Sequence, residues 1–329
     1  MIITRTPFRI SFFGGGTDYP AWYREHGGAV ISTSINQYSF IVLRYLPEIF
    51  DYKYRIRYFQ REETQSIDEI KHPVVREMLK RMNLPSGLDI THHGDLPAGT
   101  GIGSSSSFAV GLLHGLKAMN NQLVTKRELA LSAIDLEQNI LHEPVGSQDQ
   151  VAAAFGGLNR IDFGGNSEFH CRPLTISKER LYELESWVQL IFTNTVRNSA
   201  DFAEKKIANI NGGKSDLTGM IDLVDEAERS LFSTGMSAIR DFAMLLNEQW
   251  KLKKSLERSV SNPELESIYH RGIAAGAIGG KLLGAGGGGF MLFLTPPEKQ
   301  EAVMKAVGLP IIPIRFDFLG SQIIYHSHE

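Results

Sequence analysis

Phe108, Leu112, Leu113, Leu116 and Met119 recur at steps of three and four, the period of an amphipathic helix, directly after four consecutive serines. Serine is a favoured N-cap, so the spacing predicts a helix that starts inside that run. Upstream, residues 38–46 are β-rich, and residues 52–59 alternate Tyr52, Tyr54, Ile56 and Tyr58 with basic residues, as a half-exposed strand does. A short helix is expected to open near Pro73 and run through VVREMLKRM, and GLDITHH reads as a strand leading into the glycines before the serine run.

Downstream, Thr125-x-x-Glu128 is a capping box that opens a second helix, with Leu129, Ala133, Ile134 and Ile140 along one side. Ser147-x-x-Gln150 matches the same signature and puts Asp149 in the first turn of a third, short helix. The pattern changes between residues 175 and 187. WVQLIFTN reads as a strand, three longer helical stretches follow among NGGKSD, STG and SNPE, and GFMLFL, IIPIRF and SQIIYH return to strands. The chain therefore reads as α+β with two domains, 1–185 and 186–329.

Composition narrows the class. A length of 329 residues suits two domains, and 42% hydrophobic with 22% charged residues is ordinary for a soluble globular protein. A net charge of -3 gives no electrostatic case for nucleic acid or an anionic membrane. Cys171 is the single cysteine, which rules out an intrachain disulfide and points to a reducing compartment. The opening MIITRTPFRISFF is not a signal peptide, and no stretch approaches the roughly 20 apolar residues of a membrane span. A cytoplasmic enzyme is the expectation.

The chemistry concentrates in three glycine-rich stretches. Gly99, Gly101 and Gly103 stand just ahead of Ser104, Ser105 and Ser106, where the serine helix should begin. A helix start offers unpaired N–H groups and the positive end of the dipole, and bare glycine backbone lets a ligand approach, so this is an anion cradle. PFRISFFGGGTDYP precedes it, and GGKLLGAGGGGFMLFL follows near the end of the chain.

In this order, Pro-x-Arg-x-x-x-x-Gly-x-x-Thr-Asp, Pro-x-Gly-x-Gly-x-Gly-Ser-Ser-Ser and Lys-Leu-x-Gly-Ala-Gly-Gly-Gly-Gly resemble the motifs of the GHMP small-molecule kinases. Within that superfamily they look most like the D-glycero-D-manno-heptose 7-phosphate kinases. The resemblance implies a two-domain α+β fold with its active site in the interdomain cleft. It also implies ATP and Mg²⁺, and a sugar phosphate as partner. The acceptor reaction would be phosphorylation of the anomeric hydroxyl to the 1,7-bisphosphate. Another sugar 1-kinase with a fucose- or galactose-like substrate, or a non-catalytic sensor of sugar and ATP, is the alternative. A homo-oligomer is left open, and neither nucleic acid nor membrane is expected as a partner.

Residue by residue, the resemblance assigns the triphosphate to the loop from Pro97 through Gly99, Gly101, Gly103, Ser104, Ser105 and Ser106. Gly286 and Gly287 of the last motif shape the nucleotide side. It places Mg²⁺ on Ser105 and on Glu137, with Asp135 as the carboxylate easily confused with Glu137. Asp149 takes the acidic catalytic position, and Arg9 neighbours it and the transferring phosphoryl group. A helix N-terminus favours an ionised carboxylate, so a positioning role or late proton acceptance suits Asp149 better than early abstraction. Asp18 aligns with a carboxylate that binds sugar hydroxyls.

One departure bears on the substrate. The galactokinase pattern carries Glu and His before Thr17 and Asp18, where this chain has Gly15 and Gly16. Two lost side chains leave room for a larger substrate and expose N–H groups to an anion. Arg197 is the expected cation for a terminal phosphate. Rival motifs fail: NGGKS lacks the earlier glycine of a Walker loop, the glycine spacing is not that of a dinucleotide fold, His92 and His93 have no partner at metal spacing, and there is no Gly-x-Ser-x-Gly elbow.

Overall fold

The computed structural model describes residues 1–85, 87–165, 168–195 and 214–327. Its strands, in chain order, are β1 (Ile2–Phe13), β2 (Gly28–Tyr45), β3 (Tyr54–Arg57), β4 (Arg61–Thr64), β5 (Leu88–Gly94), β6 (Leu158–Phe163), β7 (Phe169–Pro173), β8 (Val188–Phe192), β9 (Gly279–Leu282), β10 (Phe290–Leu294), β11 (Ile311–Ile312), β12 (Phe316–Asp317) and β13 (Gln322–His326). A first sheet runs β13-β1-β2-β5-β3-β4, with β6 and β12 also pairing β2 and β7 pairing β6. A second sheet runs β11-β8-β10-β9. Helices are α1 (Pro20–His26), α2 (Pro73–Arg81), α3 (Ser104–Met119), α4 (Lys126–Asp135), α5 (Gln148–Phe155), α6 (Lys178–Trp187), α7 (Lys214–Phe232), α8 (Ala238–Leu256), α9 (Pro263–Ala274) and α10 (Gln300–Val307). No described helix is long and apolar enough to cross a membrane.

The periodic stretches become the expected elements, with instructive differences. The serine helix begins at Ser104, but its N-cap is Gly103 in the left-handed region (φ 73°, ψ 27°) rather than a serine. The hydroxyls are used elsewhere: Ser107 Oγ donates to Pro7 O at 2.8 Å, which ties the helix to β1. The Thr125–Glu128 capping box forms in full. The Ser147–Gln150 box does not form, because Ser147 Oγ accepts from Gln138 Nε2 at 2.9 Å and the Gln150 amide donates to Glu137. A tertiary demand outbids the local motif at both of its positions.

The tyrosine-rich strand shortens to β3, where Tyr54 and Ile56 are buried. Its basic face is not simply solvated, since Arg55 and Arg57 both donate to buried Asp89 of β5. The IIPIRF stretch splits between sheets, β11 in the second and β12 in the first. The pattern reading named no element for β1, α1, β4, β6, β7, α6, β9 or α10.

The two sheets share a core, and that core sets the cleft. Phe8, Ile10, Phe12 and Phe13 of β1 pack with Leu190, Phe290 and Leu292 of the second sheet and with Phe242 of α8. The rings of Phe12 and Phe13 meet Phe242 edge-on at 5.4 and 4.9 Å. A rigid aromatic junction therefore holds the end of β1 against the second sheet.

Candidate active site

Two glycine loops make one wall of the site. Gly99, Gly101 and Gly103 have φ of 73°, 79° and 73°, values that favour glycine. A Cβ at Gly284 would lie 2.3 Å from Gly101 Cα, and one at Gly289 would lie 2.3 Å from Thr100 O. Phe290 N donates to Thr100 O at 3.2 Å, so the last motif is sewn to the central one. The central loop runs straight into α3, whose first-turn N–H groups have no intrahelical acceptor.

These groups open onto a cavity of about 370 Å³. Arg9, Ser11, Gly15, Gly16 and Asp18 line it from β1 and the loop that follows. Glu143, Gly146, Gln148 and Asp149 line it from the approach to α5, and Lys253, Lys281, Gly284 and Ala285 from the other side. Arg9 grips Asp149 with both arms, Nε to Oδ1 at 2.7 Å and Nη2 to Oδ2 at 2.8 Å. Its third nitrogen, Nη1, donates to Gly101 O at 2.6 Å. A bidentate pair is geometrically exacting, so the carboxylate's orientation is set relative to the glycine loop. A Cβ at Gly103 would come within 3.3 Å of Asp149 Oδ2, which puts the carboxylate beside the helix start.

Asp18 is buried and accepts from Gly16 N (2.8 Å), Gln148 N (3.3 Å) and Gln148 Nε2 (3.0 Å). It thereby clamps the first glycine loop to the start of α5. Burial raises the titration of Tyr19 and Glu143, two further groups on the lining, above their ordinary values.

Glu137 sits in a π-helical turn, Leu136–Ile140, that extends α4. A π-turn shifts the side-chain register, and such turns recur at functional sites. Glu137 is fully buried, and Ser106 Oγ (2.9 Å), Ser105 Oγ (3.5 Å) and the Gln150 amide are its partners. Burial pushes its carboxyl up to about 8, against the lowering effect of the bonds from Gln150 and Ser106. Asp135 instead accepts from Asn139 Nδ2 at 2.8 Å on the exposed side.

A buried carboxyl group next to two hydroxyls at the start of α3 is a hard-oxygen set that fits Mg²⁺. Among the described residues no group of three or more His, Cys, Asp or Glu converges. A cation here would thus be held by few protein ligands, which is Mg²⁺'s habit.

Not every expected residue faces the cavity. Thr17 is buried, its Oγ1 reaching Gly14 O at 2.9 Å and Ala29 O at 3.0 Å, so it shapes the loop from behind. Pro97 O accepts from Thr100 Oγ1 at 2.7 Å and closes the central turn. Gly286 and Gly287 pack on Val260, with Gly287 N donating to Val260 O at 2.9 Å, while Gly284 and Ala285 take the lining. Arg197 lies outside the described residues.

Two lysines escaped the sequence reading. Lys281 heads the last motif, but only the glycines there were given a role. Lys253 falls on the apolar stripe Phe242, Leu246, Trp250 and Leu256 of α8, where a charged residue is itself a signal.

Known proteins resemble the chain in sequence and in fold. Residues 69–157 match the model for the N-terminal domain of GHMP kinases, and residues 227–309 match the C-terminal model. The chain is 31% identical over 318 residues to D-glycero-alpha-D-manno-heptose 7-phosphate kinase of Campylobacter jejuni, covering 93% of each. A crystal structure described as a D-glycero-D-manno-heptose 1-phosphate kinase from B. thetaiotaomicron superposes with a TM-score of 0.78 at 23% identity, covering 99% of this chain and all of that one. The Streptococcus pneumoniae phosphomevalonate kinase, solved with phosphomevalonate and AMPPNP, superposes with a TM-score of 0.73 at 16% identity over 96% of this chain and 100% of that one. These last two likenesses speak to fold.

Proposed function

We infer the reaction from one premise: the chain belongs to the GHMP kinase family. It is a sugar-phosphate kinase. The acceptor we assign is D-glycero-D-manno-heptose 7-phosphate, phosphorylated by ATP at the anomeric hydroxyl to the 1,7-bisphosphate. The Campylobacter jejuni relative supports this acceptor. The observation that carries the chemistry is the meeting of Asp149, held by Arg9, with the start of α3 beside Gly103.

Phosphoryl transfer asks the protein mostly for positioning and charge stabilisation. The N–H groups from Gly99 to Ser106 hold the triphosphate at the helix start. Arg9 lies between Asp149 and Gly101, where it stabilises charge on the phosphoryl group in flight. The acceptor oxygen attacks the γ-phosphorus, the bond to the bridging oxygen breaks, and ADP leaves. Asp149 orients the acceptor hydroxyl and takes its proton late in that transfer.

Ser105 and Glu137 are the residues that would hold Mg²⁺. When bound, the ion neutralises charge on the phosphate oxygens. The proposed division at residue 185 assigns the triphosphate loop, Arg9 and Asp149 to the first domain and Lys253 and Lys281 to the second, so the substrates lie between them.

The test is a coupled ADP-release assay with heptose 7-phosphate, unphosphorylated heptose, galactose, fucose and mevalonate, with the product identified by ³¹P NMR. Heptose 7-phosphate is expected to give the highest kcat/KM, with a new anomeric phosphate. Equal or faster turnover of galactose or fucose would overturn the acceptor assignment.

A further inference from the structure

A terminal phosphate on the acceptor requires a cation in the cavity, and the described residues supply one that the motifs did not assign. Lys281 of β9 is 3% exposed, and its Nζ donates to Ser11 O at 3.0 Å and Phe12 O at 2.8 Å. It lines the same cavity as Arg9 and Asp149. Arg9 and Ser11 are two residues apart on β1, hence on one face and about 7 Å apart along the strand.

The surroundings of Lys281 are those of a built polar pocket. Ser11 Oγ and Gln148 Oε1 are both buried and have no hydrogen-bond partner. A Cβ at Gly15 would lie 3.5 Å from Ser11 Oγ and 3.5 Å from Gln148 Nε2, so both side chains flank the bare backbone of the first glycine loop. A hydroxyl donates readily to a phosphate oxygen, and an amide oxygen accepts from a sugar hydroxyl. Buried polar atoms of this kind are costly unless a ligand satisfies them.

Lys253 occupies a different place. Its Nζ donates to Leu282 O at 2.9 Å and Gly284 O at 2.6 Å, and Gly284 packs on Gly101 of the triphosphate loop. Lys253 therefore belongs to the nucleotide side, and Lys281 to the acceptor side.

We propose that Lys281, with the Ser11 hydroxyl, binds the remote phosphate of a sugar-phosphate acceptor and so sets the preference for a phosphorylated sugar. This rests on the acceptor reading above. It gives Lys281, rather than Arg197, the role of phosphate cation. A compact ammonium suits a phosphate as a point charge, and binding energy gained there orients the distant hydroxyl.

The test reads the ratio of kcat/KM for heptose 7-phosphate over unphosphorylated heptose. In Lys281→Met and Lys281→Gln the ratio is expected to fall by roughly 10²-fold, the scale of a lost charge-assisted contact that also positions the substrate. Lys281→Arg, which keeps the charge, should restore part of it, and Arg197→Met should leave the ratio near its wild-type value. A purely structural Lys281 would lower both kcat/KM values together and leave the ratio intact, which overturns the proposal. So does a collapse of the ratio in Arg197→Met alone.

A wild-type experiment stands even if the neutral variants fail to fold. Phosphite added with unphosphorylated heptose should raise turnover by filling the vacated phosphate position, and inhibition without activation counts against the pocket. A wild-type enzyme that shows no preference for the 7-phosphate refutes the acceptor reading itself. Preference without any Lys281 dependence refutes only the lysine.

Discussion

Ser106 Oγ donates to Glu137 Oε2 at 2.9 Å, joining the first turn of α3 to a carboxylate on another helix that is fully out of water. Asp135, two residues earlier, instead accepts from Asn139 on the exposed side. This contrast separates two carboxylates that sequence alone leaves side by side. Glu137→Gln is expected to raise the Mg²⁺ concentration for half-maximal activity by about 10–100-fold, the range for damaged metal-site residues. Asp135→Asn should scarcely move it. Titrating Mg²⁺ against activity for both variants is the check, and equal shifts would remove Glu137 from the metal assignment.

Asp149→Asn keeps the shape at the start of α5 but weakens the two-armed grip of Arg9 and removes the proton acceptor. Turnover is expected to fall by on the order of 10²–10⁴, the usual contribution of a general acid–base group, while ATP still binds. Single-turnover rates alongside nucleotide titrations separate the two effects. A variant retaining most of its turnover would show that Asp149 has no chemical role.

Gly284 tests the seam between the glycine loops. Its φ is 69°, and an added Cβ would come 2.3 Å from Gly101 Cα, backbone against backbone. Gly284→Ala should destabilise the fold by about 1–3 kcal/mol, the cost of local backbone strain, and raise KM for ATP. Thermal denaturation and ATP kinetics measure the pair. Lowered stability with unaltered nucleotide kinetics would mean that the seam does not shape the triphosphate site.

His92 predicts a pH dependence of stability. Burial, with the nearby charges of His93 and His72 adding to it, lowers its titration to about 4. It packs edge-on against Phe108 of α3 with ring centroids 5.0 Å apart. In the unfolded chain an imidazole binds its proton near 6.5, so between about 6.5 and 4 the unfolded state holds more protons. Stability should therefore fall as pH drops through that window. Urea unfolding at several pH values is expected to show the slope, and His92→Gln should flatten it. An unaltered slope in the variant would assign the effect to another group.

Much of the site was legible because its parts are local. An anion cradle needs glycines with permissive φ directly before a helix start, and such a device occupies a few consecutive residues. Arg9, Asp18 and Asp149 were named through the resemblance to the GHMP kinases, whose motifs carry them close in sequence to a glycine or a helix start. The periods of α3, α4 and α7–α9 were readable because a helix repeats every few residues along one stretch.

The rest depended on partners far apart in the chain. Whether Ser147 and Gln150 cap their own helix or serve Gln138 and Glu137 is settled by what lies across the gap, not by their spacing. Gly286 and Gly287 look equivalent to Gly284 in the sequence, yet Val260 receives the first two and Gly101 the third. Lys281 is a lysine in an apolar strand until β1 is brought to it, when Ser11 O and Phe12 O turn its ammonium toward the cavity. Sequence by itself determined the glycine-rich loop and the helix start it runs into, because backbone conformation and helix dipoles act over a few residues. Tertiary structure alone decided which side chains converge on the cavity, because charge and hydrogen bonding act between atoms brought together by packing.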